Sequence, residues 1–421
     1  MPFTPPREQR TDEIQDGVHF RPGETPPDLW RLATFDIAEG ASPGDAAYAL
    51  DRLWSLLADL REGRVPELEP APDEPPAPVP TGSLTPLLGY GARLFEPRAG
   101  GPPLVPRRLR PPQLGAPLLA GSERPFARLH WDADADVDAG QRDLAIQLTA
   151  DTELALARAV LEINQRICNE QLALVPRRVF EGFHRDDRRS WIGFHDGVSN
   201  LSAQDRRDAI MHATDFDAPW MSEGTFLAFL KIEVDLVLWR TLPRPVQEAV
   251  VGRAKLSGAP LTAIDRDDGG RITVTADAGC PVRPLGPLPG EDPRRCVDPP
   301  IASDPGLAAT HISRSNLLRG EARIDANNRL YRQGYEFLDL DPGGRMSAGL
   351  NFVAFVRRLD AVRFILSRSR WLGDANFGGG DVDIPDPELM RLIAGGFYAV
   401  PRRPRAQETF PGASLFAAPG A

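Results

Sequence analysis

Two short stretches hold the residue types from which acid–base or metal chemistry could be built. The first, SWIGFHDGVSN (190–200), sets Asp196 among aromatic residues and glycines. Read locally, Asp196-Gly197 is a turn dipeptide, because Asp tolerates a positive φ and Gly prefers it. Read chemically, the same neighbours would hold a carboxylate rigidly against a planar ligand. The second stretch, HISRSNLLRGEARIDANNRLYRQGYEF (311–337), opens on His311 and carries Arg332 inside a strand-like run. A lone histidine after Ala309-Thr310 reads first as a hydrogen-bonded structural residue and second as a metal ligand. Arg332 reads first as a surface arginine with its stem packed down.

Other chemistries find no support. The chain contains no G-x-x-x-x-G-K-[ST], no H-E-x-x-H, no G-x-S-x-G and no glycine-rich dinucleotide fingerprint after a strand. The run GGGD (378–381) reads as a loop. The six histidines (19, 130, 184, 195, 212 and 311) show no ligand-like pairing, and the pair His184/His195 has no cysteine partner for zinc. Cys168, Cys280 and Cys296 match no C-x-x-C pattern. A Cys280–Cys296 disulfide is one reading, and reduced thiols are the simpler one.

The elements that must position Asp196, His311 and Arg332 are legible from periodicity. Residues 28–38 are strand-like. Ser42 can cap a helix with Pro43 in its first position, Asp45 in its first turn and Ala46, Leu50, Leu53, Leu57 and Leu60 on one face. The Pro-rich run 65–82 reads as an extended loop, 84–91 as a strand and 97–128 as a long surface excursion. A strand at 143–149 and a helix capped by Asp151, with Leu156, Val160, Ile163 and Ile167 on one face, complete a β–α–β–β–α order. The second half repeats it. Residues 226–236 alternate, with Phe226, Ala228, Leu230 and Ile232 on a buried face and Lys231, Glu233 and Asp235 on the other. A helix with Pro245 in its first turn and Val246, Ala249 and Val250 inward follows. Strands at 329–337 and 350–356, a helix marked by Leu359, Val362 and Leu366, and a closing strand at 392–400 end the series. Two βαββαβ halves predict an α+β fold of two ferredoxin-like units with antiparallel sheets.

Composition narrows the partners. The 421 residues suffice for about two domains. Lys+Arg is 49 against Asp+Glu 59, a net charge of −10 that argues against a phosphate-backbone binder and against an anionic membrane surface. Lys231 and Lys255 are the only lysines among many arginines, which reads as coding bias. No apolar run reaches the roughly 18 residues of a transmembrane helix, and MPFTPPREQRTDE shows neither a Sec nor a twin-arginine signal. The expectation is a cytoplasmic protein that binds neither nucleic acid nor membrane.

From about residue 12 onward the chain resembles the dye-decolorizing (DyP-type) haem peroxidase family. GFHDG (193–197) fits the family's G-x-x-D-G motif, and HISRSN (311–316) its histidine segment. RLYRQGYEF (329–337) resembles its arginine-bearing strand, and GLNFVAF (349–355) its L-x-F strand. TFLAFLKIEVDLVLW (225–239), QEAVVGRAKLSGAPL (247–261) and WLGDANFGG (371–379) fit a bacterial subgroup. The resemblance implies a dimeric α+β barrel type of fold, with an N-terminal unit (1–190) and a C-terminal haem-binding unit (191–421). It implies haem b as cofactor, His311 as proximal iron ligand, Asp196 as the distal acid–base group and Arg332 as the distal arginine. Leu350 and Phe352 would wall the pocket. The implied reaction reduces hydrogen peroxide by way of a ferryl intermediate and oxidises small aromatic, phenolic or dye-like donors.

A neutral imidazole suits haem iron, one positioned carboxylate can move a proton between the peroxide oxygens, and a permanent guanidinium can stabilise the departing one. A carboxylate base, with a reference pKa of about 4 rather than the about 6.5 of histidine, would keep activity well into acid. Bulky donors would need electron hopping through surface side chains, for which Tyr331, Tyr335 and Trp371 are candidates. Three departures stand out. Val198-Ser199-Asn200 replaces a common S-Q-P, Asn351 replaces an apolar residue, and Gly334 stands where some relatives have a distal asparagine. The alternatives are a non-catalytic haem carrier, sensor or iron-releasing protein on the same fold, which would need His311 but not Asp196 and Arg332, and a scaffold without haem. The sequence leaves a homo-oligomer open and does not support an encapsulating shell; the tail 411–421 reads as a frayed end rather than a docking peptide.

Overall fold

The computed structural model describes residues 14–18, 26–68, 71–75, 79–98, 101–114, 137–198, 200–201, 210–211, 218–280, 305–315, 330–340, 343–366 and 389–417. Strand β1 (Leu29–Ile37) leads into helix α1 (Pro43–Arg61). Ser42 starts that helix with a capping box: its hydroxyl accepts from Asp45 N at 3.1 Å, and the Asp45 carboxylate accepts from Ser42 N at 2.9 Å. Strands β2 (Thr85–Gly91) and β3 (Leu144–Ala150), helix α2 (Glu153–Asn169) and strand β4 (Leu174–Phe183) complete the first unit. Thr152, not Asp151, caps α2, because its hydroxyl is the group that reaches Ala155 N.

The second unit opens on β5 (Thr225–Val234), followed by α3 (Leu236–Thr241), α4 (Arg244–Val251) and a hairpin of β6 (Leu261–Arg266) and β7 (Ile272–Ala276). Two short helices, α5 (Pro305–Ala308) and α6 (His311–Ser315), precede β8 (Tyr331–Arg332), β9 (Tyr335–Leu340), β10 (Met346–Val356), α7 (Leu359–Leu366) and β11 (Met390–Val400). The single strand expected over 329–337 is thus broken at Gln333-Gly334, and the break lies at the site.

The spatial orders are β2-β3-β1-β4 and β9-β10-β5-β11, the same ferredoxin-like arrangement twice, with every pair antiparallel. The units join where β2 meets β11 and where β4 meets β9, so the sheet closes into a barrel with β8 attached to β10. One apolar cluster draws Trp30, Leu87, Ala145, Phe180, Phe229, Tyr335, Val353 and Tyr398 from strands of both units and is the barrel interior. The other joins the opposite strand faces to α1 and α2 through Leu50, Leu53, Leu57, Leu156 and Ile163.

Closure corrects the reading of β5 as a strand with one buried face. Its odd positions face the barrel interior, so Lys231 and Glu233 are only 3% and 6% exposed. Each is matched by charge: Lys231 pairs with Asp339 and lies 4.2 Å from the centre of the Phe337 ring, while Glu233 accepts from Arg345 and Arg391 at 2.6 Å each. Helix α4 buries Gln247, Glu248 and Val251 most deeply; of the residues expected inward, Val250 packs partly against the core, while Val246 and Ala249 are only half-buried. The stretch after residue 97 is not merely a surface excursion, since Leu104, Val105 and Leu114 pack into the outer core. Cys280 is disulfide-bonded and Cys168 is free, which corrects the reduced-thiol reading at Cys280. Among the described residues no helix is long and apolar enough to cross a membrane.

Candidate active site

The loop bearing Asp196 is held from several sides. Arg189 donates to the carbonyls of Gly193, Lys255 and Leu256 and contacts His195 Nε2 at 3.0 Å. Trp239 Nε1 donates to Ile192 O at 3.0 Å. Both glycines of the G-x-x-D-G motif have a structural reason. Gly193 has φ +89° and a Cβ there would meet Lys255 Cε at 2.5 Å, while Gly197 has φ +72° and donates its N–H to Asp196 Oδ1 at 2.7 Å. The turn and the chemical reading of Asp196 are therefore compatible: the turn fixes one carboxylate oxygen and leaves the other, on an exposed residue, directed at Gly334 in the break between β8 and β9.

Strands β8, β9 and β10 supply the facing surface. Arg332 lies opposite Ala354, and Leu350 opposite Glu336, so Arg332, Glu336, Leu350, Phe352 and Ala354 share one face. Gly334 is the meeting point. A Cβ built there would lie 3.1 Å from both Asp196 Oδ2 and Leu350 Cδ1, so a side chain such as the asparagine of some relatives would require both to shift by a few tenths of an ångström. Arg332 is half-buried and donates from Nη2 to Val198 O at 2.8 Å. Burial presses its guanidinium below the usual arginine range, and the charge of Asp196 opposes that shift.

Asn200 was not anticipated as a site residue. Its amide donates to Arg332 O at 2.7 Å and accepts from Arg332 N at 3.1 Å, clamping the Asp196 loop to β8. The departure from S-Q-P marked the position but could not reveal its partner. Asn351 also gains a role: fully buried, it donates to Glu181 O at 2.8 Å across the seam between the units. Glu336 is the third such residue. Its carboxyl is buried, accepts from Trp191 N at 3.1 Å and is pushed up to about 8, first by burial and then by the charge of Asp196.

His311 stands on a separate element. Helix α6 begins at Thr310, whose hydroxyl accepts from Ser313 N at 3.4 Å, and Ser315 Oγ donates to His311 O at 2.8 Å. Gly252, which ends α4, lets that helix come close: a Cβ there would meet Thr310 Oγ1 and Ile312 Cγ1 at 2.7 Å each. The fold thus brings Asp196 and Leu350 together at Gly334, sets Arg332 and Phe352 on the same strand face, and anchors a half-buried His311 beside α4. Tyr331 and Tyr335 are not surface relays. They are 2% and 0% exposed because odd positions of β8 and β9 face the barrel interior. Trp371, the third candidate, lies outside the described residues.

Known proteins resemble this chain in sequence and fold. A deferrochelatase of Escherichia coli (strain K12) is 26% identical over 396 residues, covering 87% of this chain and 79% of its own. The crystal structure of a DyP-type peroxidase from Cellulomonas bogoriensis superposes with a TM-score of 0.66 at 23% identity, over 96% of this chain and 97% of that one. A DypB R244L variant of Rhodococcus jostii RHA1 in complex with heme gives a TM-score of 0.57 at 17% identity, over 92% and 96% of the two chains. These two structures show the shared fold. The family model described as Dyp-type peroxidase, C-terminal, matches residues 187–404, just over half of the chain. The chain belongs to the DyP-type peroxidase family.

Proposed function

We propose that the chain is a haem b peroxidase in which His311 holds the iron, Asp196 moves the proton and Arg332 stabilises the charge that develops as peroxide is cleaved. Residues 191–421 would form the haem-binding unit and 1–190 the unit that completes the barrel. The observation that carries the reading is the meeting of Asp196 and Leu350 at Gly334, with the Arg332 guanidinium tied to Val198 of the same loop and within the field of the Asp196 charge. The residues suit a haem. Among the described residues no three His, Cys, Asp or Glu side chains gather to hold a bare metal ion. An iron porphyrin brings its own equatorial ligands and asks the protein for one axial group, which a neutral imidazole such as His311 supplies.

Bound there, haem supplies the two electrons that cleavage of the O–O bond consumes. Asp196 takes the proton from one peroxide oxygen and returns it to the other, so that the departing oxygen leaves as water. Arg332 offers a fixed positive charge to that departing oxygen, and partial burial strengthens the interaction. Leu350 and Phe352 wall the site with apolar groups and limit competing water. Aromatic, phenolic or dye-like donors would then restore the electrons. Rapid mixing of the haem-loaded protein with hydrogen peroxide tests these roles. Asp196→Asn should slow the peroxide step by about 10²–10⁴-fold and Arg332→Leu by about 10²–10³-fold. Full turnover in both variants would sink the assignment.

A second reading follows the name of the curated relatives. A deferrochelatase-like, iron-releasing role would use His311 to hold haem but would not need Asp196 and Arg332. Iron freed from haem by both Asp196→Asn and Arg332→Leu at the wild-type rate, without peroxide consumption, would favour it.

A further inference from the structure

The Asp196 site contains a second carboxyl to which the mechanism above gives no task. Glu336 is 4% exposed and lies opposite Leu350 on β10 and Phe183 on β4, both apolar. Its Oε2 accepts one backbone N–H, from Trp191, and among the described residues no group donates to Oε1. The charges around it do not favour a second anion. Asp196 and Asp187 face it with like charge, against the guanidinium of Arg185. Arg185 is itself already committed to Asp187 through hydrogen bonds of 2.9 and 2.6 Å. His184, next to Phe183, stacks on Tyr335 at 4.3 Å, and its burial favours the neutral ring, so it adds no compensating charge.

We propose that Glu336 is a second carboxyl of the site, a positioning residue that acts through Asp196. Protonated, it leaves Asp196 as the negative charge beside Arg332; ionised, it crowds that charge and shuts the peroxide step down. This rests on Asp196 being the acid–base group. Glu336 keeps its proton throughout turnover, so no atom or electron is transferred by it. Its effect is electrostatic: a second anion on the face that carries Arg332 would offset the positive field that Arg332 presents to the departing oxygen.

The pH window follows from its folded value of about 8 against the ordinary 4.5. Between those limits the folded chain holds a proton that the unfolded chain has lost. Stability tied to this group is therefore fully present below the lower limit and declines as pH rises toward the upper one.

Infrared spectra of the full chain, with and without haem, read the proton directly. The wild type should show a protonated-carboxyl band that disappears with a midpoint near the folded value, Glu336→Gln should lack it, and Asp196→Asn should move the midpoint downward. In haem-loaded protein the peroxide step of the wild type should fall about tenfold between pH 7 and pH 9, in step with ionisation of this group. In Glu336→Gln that alkaline fall should be absent. A band that survives Glu336→Gln, a midpoint unmoved by Asp196→Asn, or an alkaline fall that persists in Glu336→Gln overturns the proposal. If Glu336→Gln does not fold, the wild-type titration and its shift in Asp196→Asn still decide. Because the infrared spectra are also read without haem, failure of haem binding would fall on the peroxidase reading instead.

Discussion

The strand set β2-β3-β1-β4 and the set β9-β10-β5-β11 have one topology but different covers. In the first unit, α1 and α2, of 19 and 17 residues, lay Leu50, Leu53, Leu57, Leu156 and Ile163 against the sheet and fill its outer face. In the second unit the two helices that follow β5, α3 and α4, have 6 and 8 residues. Part of the strand face they would otherwise close is met by a loop carrying Asp196. Where β3 turns Leu144, Ile146 and Leu148 into the outer core, the β8–β9 ribbon turns Arg332 and Glu336 toward that loop. The lesson is that a repeated α+β unit becomes a site where a loop, rather than a helix, meets the strand face and that face carries charged side chains.

The comparison can be broken from the first unit outward. Leu53→Ala, deep under α1, should destabilise the fold by about 2–5 kcal/mol in denaturant titrations. The peroxide step per folded molecule should stay at the wild-type rate, and a matching loss of rate would mean that the two units are not separable in function. Asn200→Ala removes two hydrogen bonds that clamp the Asp196 loop to β8. It should slow the peroxide step by about tenfold, with a stability change of about 1–2 kcal/mol. A variant as fast as wild type would show that the loop is positioned without this clamp. The smallest effect is expected at the far end of the first unit. Ser42→Ala should cost about 1 kcal/mol of stability through the lost cap and leave haem spectra unchanged.

Local patterns carried the outer architecture. The capping sequence at Ser42, the helical spacing of Leu50, Leu53 and Leu57, and the alternation along β5 lead to elements close to those observed. They fail where the answer depends on closure of the barrel. Lys231 and Glu233 read as solvent-facing because alternation cannot show that a second apolar face lies within the barrel. For the same reason Tyr331 and Tyr335 read as surface residues. In the site, Asp196, Arg332 and Leu350 were named through family resemblance, since their own neighbourhoods suggested a turn, a surface arginine and a strand. Asn200 and Glu336 remained hidden because their roles depend on partners 132 and 145 residues away, Arg332 and Trp191.

In the proposed function the second unit holds haem through His311 and presents Asp196 and Arg332 to peroxide. The most direct measurement is the absorption spectrum of the haem-reconstituted full chain, before and after addition of hydrogen peroxide, for the wild type and His311→Ala. The wild type should show a Soret band that peroxide changes, and His311→Ala should lose it or collapse to a free-haem spectrum. A wild type without a Soret band, or a His311→Ala variant with an unaltered band and an unaltered peroxide response, would contradict the proposed function.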